Sequence, residues 1–255
     1  MIPIVINHEQ CIGCSLCVND CPNACLYLKD GKAETKNEGC IECGHCFAVC
    51  PINAITMKNF PSLSEKVVSM EEIDHDVLLK AMRSRRSIRH FKSDEVEKEK
   101  IAEILEAGRY APSGGNSQDV CFTLLGDRKK QAEEICVKLF RLGKKVASPF
   151  SSYLRQINID DDFFFKKAPL VIVVSGKNKT NCDLSSAYME LMAESLGLGV
   201  LYSGFFVICT KLSRKLKKLL SLEKGNKVFT CMIIGYPSVK YQRIVPRKKA
   251  RVKAL

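Results

Sequence analysis

Eight of the chain's 14 cysteines fall into two copies of one spacing. Cys11, Cys14, Cys17 and Cys21 precede Pro22, and Cys40, Cys43, Cys46 and Cys50 precede Pro51. Each copy reads C-x2-C-x2-C-x3-C-P. Soft thiolate ligands suit zinc and iron–sulfur centres. A zinc ribbon uses two C-x2-C pairs separated by a longer gap, with four ligands per metal, whereas here three thiols stand close together and a fourth follows. A disulfide framework suits a short secreted chain, but the opening MIPIVINHEQ has neither the basic start nor the long apolar core of a signal peptide.

The repeated run resembles that of bacterial two-cluster ferredoxins, in which the fourth cysteine ligates the other cluster. A tight C-x2-C-x2-C loop can wrap three iron corners of a cubane. The resemblance therefore implies two [4Fe–4S] clusters, one held by Cys11, Cys14, Cys17 and Cys50 and the other by Cys40, Cys43, Cys46 and Cys21. Six cysteines lie outside this set: Cys25, Cys121, Cys136, Cys182, Cys209 and Cys231. They read as reduced thiols serving as small hydrophobes. For Cys25 there is an internal control, because superposing the two copies puts it on Ala54, which makes it a core residue and not a ninth ligand.

Reduced thiols together with oxygen-sensitive clusters point to a reducing cytoplasm. No membrane-spanning segment is expected: the most apolar stretch, 191–209, is interrupted by Glu194, Gly197, Gly199 and Gly204 and reads as a helix end running into a loop. Formal charge is +12, from 40 Lys and Arg against 28 Asp and Glu. Eight thiolates around two dicationic cores would lower it to about +8. The excess lies late, in KLSRKLKKLL (211–220) and RKKARVK (247–253). Neither tract has interleaved aromatics or a recognition motif, so nucleic acid is not the expected partner. A basic face that steers an acidic electron-carrier protein or an anionic substrate is.

The elements that must position these residues follow from periodicity and turn chemistry. Residues 1–57 form the cluster domain, with a strand at 2–6, a hairpin turning at Asp30-Gly31 and a closing strand at 54–57. Its small core implies that folding depends on the clusters. Residues 58–73 read as a linker. Residues 74–255 alternate helices and strands. A helix begins near Asp76; a second is capped by Asp94 with Glu97 in capping-box position and presents Ile101, Ile104, Leu105 and Gly108 on one face. Strands are expected at 120–125, 170–174 and 228–234, and helices at 129–142, 183–196 and 211–222. The fold class is α+β: a small two-cluster ferredoxin-like domain followed by an α+β layered domain.

Three segments of the larger domain could do chemistry. Arg85, Arg86, Ser87 and Arg89 offer forked, charge-assisted donors and a hydroxyl suited to a phosphate and a polyol. The loop Ala111-Pro112-Ser113-Gly114-Gly115-Asn116-Ser117-Gln118 permits close backbone approach and offers amide donors and acceptors to a polar ring edge. The glycines of Leu198-Gly199-Val200-Leu201-Tyr202-Ser203-Gly204 could expose backbone donors to a planar heterocycle. In this order, with RRSIRHF, ILEAGRYAPSGGNSQ, GLGVLYSGF and IIGYP, residues 75–250 resemble the nitroreductase family of FMN-dependent oxidoreductases. The whole chain resembles its ferredoxin-fused subgroup.

That resemblance implies that Arg85, Arg86, Ser87 and Arg89 grip the FMN phosphate and ribityl chain. Pro112, Ser113 and Asn116 belong to a loop that reaches FMN, in the family typically from the other subunit of a homodimer. Tyr202, Ser203 and Gly204 lie beside the isoalloxazine ring, and Arg247 closes on the phosphate. The chain departs from many relatives in having Asp119-Val120 where they have Pro-Trp, and in having no Trp. The expected activity is electron transfer through the two clusters to FMN and on to a small-molecule electron acceptor such as a nitro compound or quinone. No side-chain acid or base is identified, and no G-x-G-x-x-G fingerprint is found. The alternative is a non-enzymatic electron-transfer module docking with a larger redox complex.

Overall fold

The computed structural model describes residues 3–36, 38–60 and 73–254. The chain divides into two compact units: residues 1–72 with Ser113–Ser117, and Ile73–Pro112 with Gln118–Leu255.

In the first unit β1 (Ile4–Ile6) pairs antiparallel with β4 (Ile55–Met57), and β2 (Leu26–Lys29) pairs with β3 (Lys32–Thr35). Asp30 and Gly31 join β2 to β3 with φ of 50° and 73°, the left-handed pair that a two-residue hairpin requires. Two short helices carry the third cysteine of each run: α1 (Leu16–Asn19) holds Cys17 and α2 (His45–Val49) holds Cys46. The sequence repeat is also a backbone repeat. Positive φ occurs at Gly13 and Glu42, at Ser15 and Gly44, and at Ala24 and Asn53, each pair 29 residues apart. Gly13 has no latitude, because a Cβ there would stand 2.0 Å from the Gly31 carbonyl oxygen. Ile4, Leu26, Ala33, Ala54 and Ile55 make the small core, together with buried Cys11, Cys17 and Cys46.

The second unit is built on a four-stranded antiparallel sheet in the order β5 (Cys121–Leu124), β6 (Leu170–Gly176), β8 (Lys227–Gly235), β7 (Gly199–Tyr202). All seven residues of β6 are buried, and its side chains serve two cores in alternation. Leu170, Ile172 and Val174 join Ile104, Met189 and Ala193 of α4 (Lys98–Arg109) and α7 (Lys179–Ser195). Val171 and Val173 join residues of α5 (Lys129–Ala147), α8 (Gly204–Leu212) and α9 (Arg214–Leu219), among them Cys136, Phe206 and Leu216. Helices thus cover both faces of an antiparallel sheet, an α+β layered arrangement. Before them, α3 (His75–Ser84) is capped by Asp74, whose side chain accepts from the Asp76 and Val77 amides. A short α6 (Ser152–Gln156) follows α5.

Several expectations need correction. The α4 cap is Glu97, not Asp94; the Glu97 carboxylate is engaged by the Tyr236 hydroxyl (2.6 Å) and does not close a capping box. The 191–209 stretch is not a helix end running into a loop, because β7 and then α8 follow α7. The 211–222 helix is split at Ser213, whose hydroxyl accepts from the Leu216 amide and starts α9. The helix expected at 183–196 starts at Lys179, capped by Asn178. The loop Ser113–Ser117, expected with the larger domain, groups with the first unit, where Asn116 Nδ2 donates to the Ile41 and Glu42 carbonyls (3.1 and 2.9 Å). Residues 61–72 of the expected linker lie outside the described residues.

Candidate functional site

The eight motif cysteines line two cavities in the first unit. Cys11, Cys14, Cys17 and Cys50 line one of about 360 Å³ of atom-free space; Cys21, Cys40, Cys43 and Cys46 line the other, of about 380 Å³. Each cavity therefore takes three thiols from one run and the fourth from the other. Among the described residues no three His, Cys, Asp or Glu side chains converge as ligands of a single metal ion would. The sulfurs stand around a space instead. Backbone amides point at them in matching positions: Cys25 N–H to Cys21 Sγ (3.2 Å) and Ala54 N–H to Cys50 Sγ (3.3 Å), with Ala33 N–H to Cys11 Sγ at 3.5 Å. Such donors favour thiolate and tune a bound cluster. The Ala33 amide holds the Cys11 thiol below its ordinary range, with Lys32 adding to the effect. Burial pushes the Cys46 thiol up to about 11, and the neighbouring Cys40 and Cys43 push the same way. Four thiolates lining one small cavity repel one another unless a cationic core neutralises them. The residues present fit a thiolate-bound inorganic cluster in each cavity. Cys25 and Ala54, equivalent under the repeat, are both 3% exposed.

In the second unit the Arg85–Arg89 segment lies along β7. Ser87 forms a parallel bridge with Val200, and the Ile88 amide donates to the Val200 carbonyl (3.0 Å). Gly199 permits this approach: a Cβ there would stand 2.3 Å from Ile88 Cγ1. Arg86 Nη1 donates to the Arg83 and Arg85 carbonyls, while its Nε and Nη2 are buried without a hydrogen-bond partner. A buried guanidinium edge without an acceptor is costly to leave unmet, and its geometry suits an oxyanion. This segment fits a phosphate-bearing cofactor. Arg89 is exposed, with Nη1 donating to the Ser87 carbonyl.

Arg85, also expected at the phosphate, has its Nη1 2.6 Å from Glu190 Oε1. The Tyr202 hydroxyl donates toward the Ser186 carbonyl (3.0 Å) and Glu190 Oε2 (3.4 Å). Glu190, on α7 and 8% exposed, thus ties the end of α3 to β7. Ser203 is buried, with its amide donating to the Cys231 carbonyl, and exposed Gly204 begins α8. The structure therefore brings the Arg85–Arg89 and Tyr202–Gly204 segments together. Ser113 and Asn116 group with the cluster unit, Pro112 is exposed shortly after α4, and Arg247 is exposed.

The sequence reading missed three acidic residues. Glu190 is one, and its signal was a lone charge inside the small and apolar run LSSAYMELMA. Asp119, a departure from the family pattern, accepts from the Lys177 and Asn178 amides and from Asn181 Nδ2, so it anchors the start of α7 beside β5. Buried Glu133 on α5 accepts from the Phe164 and Phe165 amides (2.7 and 3.0 Å) and fixes the turn before β6. Next to that turn Phe163 stacks on Phe205, the residue after Gly204, with ring centroids 5.8 Å apart.

Residues 82–236 match the sequence model of the nitroreductase family, and residues 4–57 match that of a 4Fe-4S dicluster domain. The chain belongs to the nitroreductase family. A protein of Archaeoglobus fulgidus, provisionally named an NADH dehydrogenase/NAD(P)H nitroreductase, is 28% identical over 162 residues, 62% of this chain and 84% of its own. A similarly named protein of Methanothermobacter thermautotrophicus is 26% identical over 170 residues, 63% of this chain and 78% of its own. Among solved structures, a nitroreductase with bound FMN from Desulfitobacterium hafniense superposes with TM-score 0.58 at 22% identity, covering 69% of this chain and 98% of that one. One from Bacteroides fragilis, also with bound FMN, gives 0.55 at 23% over the same shares. This likeness establishes the nitroreductase fold. Among the described residues no helix is long and apolar enough to cross a membrane.

Proposed function

We propose that this family member is an iron–sulfur flavoprotein oxidoreductase. In this reading two [4Fe–4S] clusters serve FMN, which reduces an electron-poor small molecule such as a nitro compound or quinone. The observation that carries it is the presence, in one nitroreductase-family chain, of two four-cysteine cavities and a buried, unsatisfied Arg86 edge beside β7. When bound, clusters move single electrons and a flavin accepts one or two, so together they convert one-electron supply into two-electron reduction.

The protein's own residues supply holding and orientation. Cys11, Cys14, Cys17 and Cys50 would hold one cluster and Cys21, Cys40, Cys43 and Cys46 the other, with the Ala33, Cys25 and Ala54 amides directed at the sulfurs. Arg86, Ser87 and Arg89 would bind the phosphate end of FMN, and Tyr202–Gly204 would border its ring. Bound FMN in solved members of the fold supports this assignment. A homodimer with FMN at its interface, cytoplasmic location and a closing contribution from Arg247 belong to the same reading. The test is anaerobic isolation with assays for iron, sulfide and flavin, followed by an acceptor screen. Colourless protein without iron or FMN would overturn the proposal.

A second reading, an electron-transfer module docking with an acidic carrier or larger redox complex, has one observation in its favour. Residues 1–72 carry 5 Lys and Arg against 9 Asp and Glu, whereas residues 73–255 carry 35 against 19. The net charges of −4 and +16 place the attraction for an acidic partner on the second unit, where Arg214, Lys215, Lys217 and Lys218 of α9 are exposed. Saturable turnover of small acceptors by the isolated chain separates the enzyme from the module.

A further inference from the structure

We propose that Glu194 holds a proton beside the Glu190 carboxylate, a proton store coupled to the charge on the flavin. The inference rests on the assignment of Tyr202–Gly204 to that flavin. The two residues stand one turn apart on α7, so their side chains lie on the same face. Among the described residues they have one cation between them: Arg85, at the end of α3, is 2.6 Å from Glu190 Oε1. The other Glu190 oxygen receives the Tyr202 hydroxyl at 3.4 Å. Glu194 Oε1 is buried and has no hydrogen-bond partner.

A buried carboxylate oxygen with neither cation nor donor is strongly disfavoured, and a proton is the least costly remedy. Burial raises both carboxyls from their ordinary range. Arg85 and Tyr202 pull Glu190 back, whereas the Glu190 charge pushes Glu194 further up and only Arg85 opposes it. Among the described residues the groups facing the pair are Arg85 and Tyr202; Asp183, farther along α7, acts on Tyr202. Burial and the Glu190 charge also raise the Tyr202 phenol, which stays protonated as a donor. One guanidinium against two carboxyls leaves one negative charge uncompensated, and a proton on Glu194 removes it. Tyr202 then links the pair to the flavin segment: negative charge arriving there tightens the hold on the proton, and its departure loosens it. Glu190 and Glu194 are positioning residues in this account.

The test has a flavin-free and a flavin-bound arm. Infrared difference spectra of flavin-free wild type against Glu194→Gln, recorded at matched pH so that the Glu133 signal cancels, should show one additional protonated carboxyl in the wild type. Glu194→Asp should retain the band at a shifted position, and it carries the test if the Gln variant does not fold. In FMN-loaded protein, the pH dependence of the flavin midpoint potential should show a break in wild type that Glu194→Gln lacks. A wild type without the band, or a Gln variant that changes neither band nor break, overturns the proposal. Wild type that shows the band but takes up no FMN overturns the flavin assignment and leaves the protonated Glu194 standing.

Discussion

Replacing Glu133 with Gln removes an ionisable group from beneath the turn at Phe164 and Phe165 while keeping its shape. Burial raises the Glu133 carboxyl from 4.5 to about 7, against the lowering effect of its two backbone donors. Because the folded state binds this proton more tightly than the unfolded chain, its contribution is fully present below the unfolded value. It is lost as pH rises through the folded value. The difference of roughly 2.5 units corresponds to about 3 kcal/mol of wild-type stability lost between about pH 4.5 and pH 7, with no further change from this residue at higher pH. Gln has no such titration, but it faces one of the two amides with a donor, a loss of about 1–3 kcal/mol at every pH. The variant should therefore be less stable than wild type in mild acid and close to it above neutrality. Urea unfolding followed by circular dichroism, from about pH 5 to pH 8 and under anaerobic conditions, reads this directly. Parallel pH profiles for the two proteins would refute the reasoning, because the titrating group would then lie elsewhere.

Cys14→Ser should lower bound iron by one cluster's share and spare FMN; reduction by an iron–sulfur donor should slow more than direct chemical reduction of the flavin, and equal slowing would make the clusters structural. Arg86→Gln should weaken FMN binding roughly 10- to 100-fold, the equivalent of one or two charge-assisted hydrogen bonds, as measured by flavin fluorescence titration. Gly199→Ala drives a methyl into Ile88 and should cost about 1–3 kcal/mol, with weaker FMN retention because the Ser87–Val200 bridge is displaced. Unchanged melting and FMN content in that variant would show that the 85–89 segment does not depend on this contact.

Legibility in the sequence followed the length scale of the signal. The cysteine runs were readable because ligand spacing is local and repeated, and Asp30-Gly31 because a two-residue hairpin demands left-handed residues. β6 and β8 announced themselves as apolar runs. The split at Ser213 was hidden because basic residues continue on both sides of it, and β7 because glycines normally mark loops. Here Gly199 serves close packing against Ile88. The Arg85–Glu190 ion pair was hidden because the partners lie 105 residues apart and nothing local signals the pairing. The same distance effect concealed Glu133, whose acceptors serve amides 31 and 32 residues further on.

The exchange of a fourth thiol between the two cysteine runs has a consequence for assembly. Neither cavity of the first unit draws all four of its cysteines from one run, so under the proposed ligand assignment a chain cut between the runs would present two incomplete chelates. Under that assignment loading and closure of the domain would be a single cooperative event, and a chelator strong enough to strip the metal would act on it as a denaturant.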